Sequence, residues 1–268
     1  MKQAVSAFGP LSVASSRLLI GAALLVMPFL LGKKWTRIAP ADLLPICALS
    51  LLGVALPFSL QPFLIRATGN SGFIGMMVAF VPVFTILVSI PMLGRRPTGK
   101  EILGVSGGLG CLFIIFYDGL AKSITPLNLL LAAITPMAYA INNTYARRRL
   151  ASCPPAGFTI LTFLFAGLAL LPVALANESA RPEADKMGAV SALMLLGLIS
   201  TGLAGYAFFL LLVRRGPLYA GMVGYTIPAV AVILGWFHGE PVSVLQAAAL
   251  AAVVLLVGMV QREQRPSP

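Results

Sequence analysis

Charge is scarce in this chain, and acidic charge scarcer still. Only 10% of its 268 residues are Asp, Glu, Lys or Arg, with 8 acids against 19 bases. Soluble domains carry roughly a quarter of their residues as charges, so a water-facing globular fold is excluded. The single histidine, His238, excludes zinc motifs that need two. Three cysteines, Cys47, Cys111 and Cys153, are too few and too scattered for a disulfide framework or a metal site. No cofactor and no metal are therefore expected. No pair of aspartates lies within an apolar run, no Ser–His arrangement stands out, and no phosphate-binding loop is present. These gaps argue against an enzyme and against nucleotide hydrolysis as an energy source. No polar stretch is long enough for a separate soluble domain.

What the chain has instead is apolar length. It is 59% hydrophobic, with a mean hydropathy of +0.95. A bilayer-spanning helix needs about 20 mainly apolar residues, and the pattern predicts nine of them. The expected spans are Ser6–Leu31, Leu43–Ile65, Ser71–Leu93, Glu101–Tyr117, Leu127–Tyr145, Pro155–Ala176, Ala189–Val213, Leu218–Phe237 and Val244–Val260. Met1–Phe8 is too short for a signal peptide. The net charge of +11 needs no nucleic-acid partner, because the bases sit in short loops. Thirteen of them fall in 32–42, 94–100, 147–149, 214–215 and the tail, and five (Lys2, Arg66, Lys122, Arg181, Lys186) on the opposite side. By the positive-inside rule this puts the N-terminus outside and the C-terminus in the cytoplasm.

Two stretches read as copies of each other. Gly75–Gly94 is GMMVAFVPVFTILVSIPMLG and Gly221–Glu240 is GMVGYTIPAVAVILGWFHGE. Both open Gly-Met and carry proline seven residues on, at Pro82 and Pro228. Pro10 and Pro28 likewise match Pro154 and Pro172, and Leu-Leu-Gly at 51–53 matches 195–197. Spans one to four thus correspond to six to nine, and the fifth is unpaired. An offset of five spans makes matching helices cross in opposite directions, the inverted-repeat construction of many secondary transporters. The expected fold is an all-α polytopic membrane protein of nine transmembrane helices, two inverted repeats (four plus five) around a central cavity. Residues 1–117 form the first repeat, 118–126 a linker and 127–268 the second.

Several segments carry a family resemblance: GPLSVASSR with Pro10 and Arg17, GRRPTGKEILG, NLLLAAITPMAYAINNTYARR, LLGLISTGLAGYAFFLLLVRRG and IPAVAVILGWFHGEPVSVLQ. Over nearly its whole length the chain resembles the drug/metabolite transporter superfamily, EamA type. That resemblance implies ten helices in two inverted five-helix repeats around a central cavity, exporting or exchanging small metabolites. Against that pattern the chain lacks the first helix. It also has Gly94 where the first half of the pattern has a glutamate, the residue Glu240 supplies in the second.

Arg17 is the one charge well inside a span, about 16 Å from its nearer end at 1.5 Å per residue. It is read either as a guanidinium that holds an anionic substrate or as a structural tie to a neighbouring helix. Tyr139, Asn142 and Asn143 share one helix face, which either lines the cavity or joins helices through hydrogen bonds. Gln61, Tyr206 and Tyr225 are further polar candidates for that wall. Pro82 and Pro228 are expected to kink their helices and free carbonyls for gating. His238 and Glu240 form either a proton-coupling pair or a simple helix-end arrangement. The predicted function is secondary transport of small organic metabolites across the inner membrane, the alternative being a non-transporting scaffold. The expected partners are a small-molecule substrate and the lipid bilayer, with no nucleic acid; a homodimer is compatible with the sequence. Solute efflux without an enzymatic activity is the overall expectation.

Overall fold

Proline decides where the helices of this chain break. The computed structural model describes residues 2–32, 37–68, 77–94, 96–116, 125–176, 186–226, 230 and 244–263. Among them every regular element is helical. The first expected span is interrupted: α1 is Lys2–Ala7 and α2 is Pro10–Leu30. The break lies at Gly9, extended at φ −63°, ψ 150°, with Pro10 opening α2. A residue before proline is pushed out of the helical region, and proline at the first helical position loses no hydrogen bond.

The second span comprises α3 (Pro40–Ser50), a π-helical segment (Leu51–Ala55) and α4 (Leu56–Thr68). The third is described from Met77 and continues as α5 (Val81–Leu93), with Pro82 in its first turn. Gly94 then closes α5 in the left-handed region at φ 66°, its N–H donating to Ile90 O at 3.1 Å. Glycine is the residue that adopts this helix-ending geometry without strain. Next come α6 (Gly99–Phe116), α7 (Pro126–Arg149) and α8 (Pro155–Ala176). A capping box opens α6: Glu101 N donates to Thr98 Oγ1 at 3.2 Å, and Thr98 N to Glu101 Oε2 at 3.0 Å. The seventh span joins α9 (Lys186–Leu195), a second π segment (Leu196–Leu203) and α10 (Ala204–Arg215). The eighth begins as α11 (Pro217–Gly221) and a tighter turn, Met222–Tyr225. The last element is α12 (Val244–Glu263).

Four helical stretches, Pro10–Leu30, Pro40–Thr68, Pro155–Ala176 and Met187–Arg215, are long and apolar enough to cross a bilayer. Large apolar side chains point outward on these and other helices, with Leu44 79%, Leu175 71% and Leu255 74% exposed. Lipid is the solvent that accepts such a surface. This is an all-α polytopic membrane protein.

The packing forms two compact units that interleave along the chain: Met1–Gly69 with Arg149–Leu211, and Asn70–Arg148 with Leu212–Pro268. In the first unit α2 packs along α8. Leu18, Ala22, Val54, Ala55, Phe163 and Ala166 fill the space, and Ser15 Oγ donates to Gly167 O at 2.8 Å. The two π segments each begin at or beside a Leu-Leu-Gly copy, and their packing is reciprocal. The second π segment lies on α2 and the first on α8. That is the pattern of a two-fold relation, in which element i meets j′ and j meets i′.

In the second unit α6 packs along α12 and α5 against α11. Ala79, Val105, Leu218, Met222, Tyr225 and Val253 form its core. The twin stretches cross here. Gly221 faces Val81, Pro82 and Thr85, and a methyl added to Gly224 would lie 3.4 Å from Val78 O. Val78 and Gly224 are the matching positions of the two copies, so the repeat meets itself at this point. Pro82 cannot donate to Val78 O, the carbonyl one turn back. The span accordingly breaks at Ala79–Phe80 before α5 resumes.

Candidate functional site

Arg17 is 6% exposed, two turns into α2. Its Nε donates to Thr201 Oγ1 at 3.0 Å, and its guanidinium carbon lies 4.5 Å above the Phe58 ring. Thr201 belongs to the second π segment, and Phe58 follows the first by three residues. The arginine therefore ties α2 to both π-bearing spans. Small residues make the approach achievable, since a methyl on Gly21 would lie 3.0 Å from Gly202 N and 3.1 Å from Gly197 O. A guanidinium buried within an apolar spanning helix costs up to about 2.5–3.5 kcal/mol on insertion scales. A charged hydrogen bond and an aromatic face offset that cost. Gln61 lies one turn past Phe58 on α4, half-buried, and Tyr206 is half-buried on α10. Arg17, Gln61 and Tyr206 all belong to the first unit.

The other described candidates belong to the second unit. On α7, Tyr139 and Asn142 are half-buried and Asn143 is 3% exposed. The structure adds Thr135, one turn before Tyr139 and 2% exposed. Among the described residues, Thr135 Oγ1 and Asn142 Oδ1 are buried with no hydrogen-bond partner, as are Thr144 Oγ1 on the opposite flank of α7 and Thr85 Oγ1 on α5. Pro136 has no N–H, so Ala132 O on α7 also loses its α-helical donor. The signal that would have found Thr135 is its spacing, four residues before Tyr139 and seven before Asn142. A threonine in an apolar run ordinarily bonds its own backbone and so draws no attention.

Tyr225 has no exposed surface; its OH donates to Val105 O at 2.9 Å, and its ring lies against Gly108. It is a packing residue that locks the eighth span onto α6. Pro82 is buried at the start of α5. Pro228, His238 and Glu240 lie outside the described residues.

One polar cluster lies at a loop. Arg149 Nη1 stands 3.4 Å from Asp42 Oδ1, and Cys153 Sγ donates to Asp42 Oδ2 at 3.4 Å. Burial, reinforced by Asp42, pushes the Cys153 thiol up to about 11, and Arg149 opposes the shift.

Two matches to one family cover almost all of this architecture: residues 1–117 and 126–260 each fit the EamA-like transporter family. The chain belongs to that family. An "Uncharacterized transporter" of Archaeoglobus fulgidus is 23% identical over 265 residues, 98% of this chain and 93% of the relative. "Uncharacterized transporter YcxC" of Bacillus subtilis is 30% identical over 154 residues, 55% of this chain and 48% of the relative. "Protein PecM" of Dickeya dadantii is 27% identical over 172 residues, 62% and 56%. A crystal structure at 17% identity shares the fold, with a TM-score of 0.79 over 96% of this chain and 90% of that one. The EamA-like chain is a multi-pass membrane transporter of drug/metabolite type.

Proposed function

We propose that this EamA-like protein is a secondary transporter that exports or exchanges small organic metabolites across the cytoplasmic membrane by alternating access. The observation that carries the reading is the reciprocal packing of matched elements inside each unit. α2 pairs with its counterpart α8, the π segments pack crosswise, and Val78 meets its counterpart Gly224. Related halves of this kind can exchange conformations and open one pathway to either side.

The loop charges support an outside N-terminus and a cytoplasmic C-terminus. In this reading Arg17 holds both π-bearing spans on α2, and the α7 face of Thr135, Tyr139 and Asn142 contacts solute. The π segments and the break at Pro82 are where the spans bend during exchange. The chemistry is movement without bond-making.

Solute uptake into proteoliposomes tests it directly, with a radiolabelled panel of amino acids, nucleobases, polyols and organic acids. Saturable uptake of at least one solute above protein-free vesicles is expected. Absence of uptake across the panel by monodisperse protein would refute transport and favour a scaffold role.

A further inference from the structure

The chemistry of the unpartnered groups narrows the solute class. Two features separate the units. The deep charge of the first, Arg17, is engaged by Thr201 and Phe58. The second holds four of the five buried side-chain oxygens without a partner among the described residues: Thr85, Thr135, Asn142 and Thr144. Native proteins satisfy nearly all such groups, so each orphan asks for an explanation. Thr135 and Asn142 lie seven residues apart on one flank of α7, about 10 Å along the axis at 1.5 Å per residue. Tyr139 stands between them on the same flank. The Ala132 carbonyl, released by Pro136, extends the flank one turn further.

This flank is entirely uncharged, since no Asp, Glu, Lys or Arg occurs between Pro126 and Ala146. An adjacent face of α7, about a third of a turn round, carries Ile134 and Ile141, which are exposed. An orphaned amide oxygen and a released carbonyl accept hydrogen bonds and cannot donate them, and threonine hydroxyls do either. A ligand that satisfies them carries N–H or O–H donors and needs no counter-charge. We infer that the Thr135–Tyr139–Asn142 flank of α7 is a subsite for an uncharged, donor-bearing polar solute of the amide, nucleobase or polyol type. The inference rests on the transport reading above and sharpens it to a solute class.

The test is thermal unfolding of the purified full chain in detergent with single probes. Uracil, nicotinamide and glycerol represent the proposed class; lactate, inorganic phosphate and choline represent charged solutes. The comparison adds Thr135→Val and Asn142→Leu. A ligand of the native state raises the melting temperature by mass action. At least one uncharged probe should raise it in the parent chain, and no charged probe should. In both variants the binding should weaken at least about tenfold, as expected for a lost buried hydrogen bond.

Without probe, the two variants should melt no lower than the parent, because each removes an oxygen that has no partner. A purely structural role for Thr135 and Asn142 predicts the reverse. Uncharged binding that persists in both variants overturns the subsite, as does a shift produced by charged probes alone. If proteoliposome uptake survives in either case, the transport reading stands while the subsite falls. Failure of every probe to bind, together with absence of uptake, overturns both.

Discussion

The tie between Arg17 and Thr201 makes a counter-intuitive prediction. Removing the partner should harm the fold more than removing the arginine. Thr201→Val keeps the side chain's shape and the Cγ2 packed at Gly21, but leaves the Arg17 Nε–H without this acceptor. A buried donor left unsatisfied costs about 1–3 kcal/mol, more when charged. Arg17→Met forfeits the same hydrogen bond, about 1.5–3 kcal/mol for a charged donor, and the Phe58 contact, about 0.5–2 kcal/mol. It also removes the charge from the membrane interior, which returns about 2.5–3.5 kcal/mol. The two sides nearly cancel, the general behaviour of buried charges replaced by apolar groups. At about 2–4 °C per kcal/mol for a chain of this size, Thr201→Val should lower the melting temperature by roughly 2–12 °C. Arg17→Met should move it by only a few degrees, and the double variant should match Arg17→Met. The assay is thermal unfolding in detergent over the four-member cycle. A silent Thr201→Val beside a severe Arg17→Met would refute the tie and return Arg17 to the role of a substrate ligand.

The close crossing of α6 should be sensitive to size. Gly108→Val drives a side chain into Tyr225 and should cost about 1–3 kcal/mol. Gly110→Ala, in open space on the same helix, should be neutral in the same melting assay. Gly94→Ala should destabilise by about 1–2 kcal/mol because the position is left-handed, and Gly94→Asn should be milder. Tyr225→Phe removes one donor to Val105 O and should cost about 0.6 kcal/mol, typical of interhelical bonds in membranes. The Cys153 thiol, raised to about 11, holds its proton in the folded state at pH values where an unfolded thiol would lose it. Its contribution to stability is therefore full below the ordinary thiol pKa and declines as pH rises toward 11. At pH 8 maleimide labelling of Cys153 should be slow, and Asp42→Asn should accelerate it by removing two influences that raise the pKa.

The all-helical membrane fold was legible because bilayer solvent demands long apolar runs, and the chain supplies them from Pro10 to Val260. The matched prolines and the Leu-Leu-Gly copies were legible as a repeat. Their consequence was not. A π segment lies at each Leu-Leu-Gly, where α8 packs on the first and α2 on the second, a tertiary setting that no local propensity announces. The interruption at Gly9 was written in Gly-Pro but hidden by the apolar run on both sides. For the candidate site, Arg17 stood out as a charge in hydrocarbon, whereas its partners did not: Thr201 and Phe58 are 184 and 41 residues away. Tyr225 looked like a polar wall residue and proved a core residue, because its hydroxyl has a backbone acceptor 120 positions back. Gly94, set against Glu240 as a departure from the family pattern, has a local cause in its positive φ.

Exchange between the two sides of the membrane is the property on which the account depends. Trans-stimulation measures it: uptake of a labelled solute into proteoliposomes preloaded with the same unlabelled solute, compared with empty ones. Alternating access predicts faster, saturable uptake into the preloaded vesicles. Uptake indifferent to preloading and linear in concentration would contradict it, and so would no uptake at all.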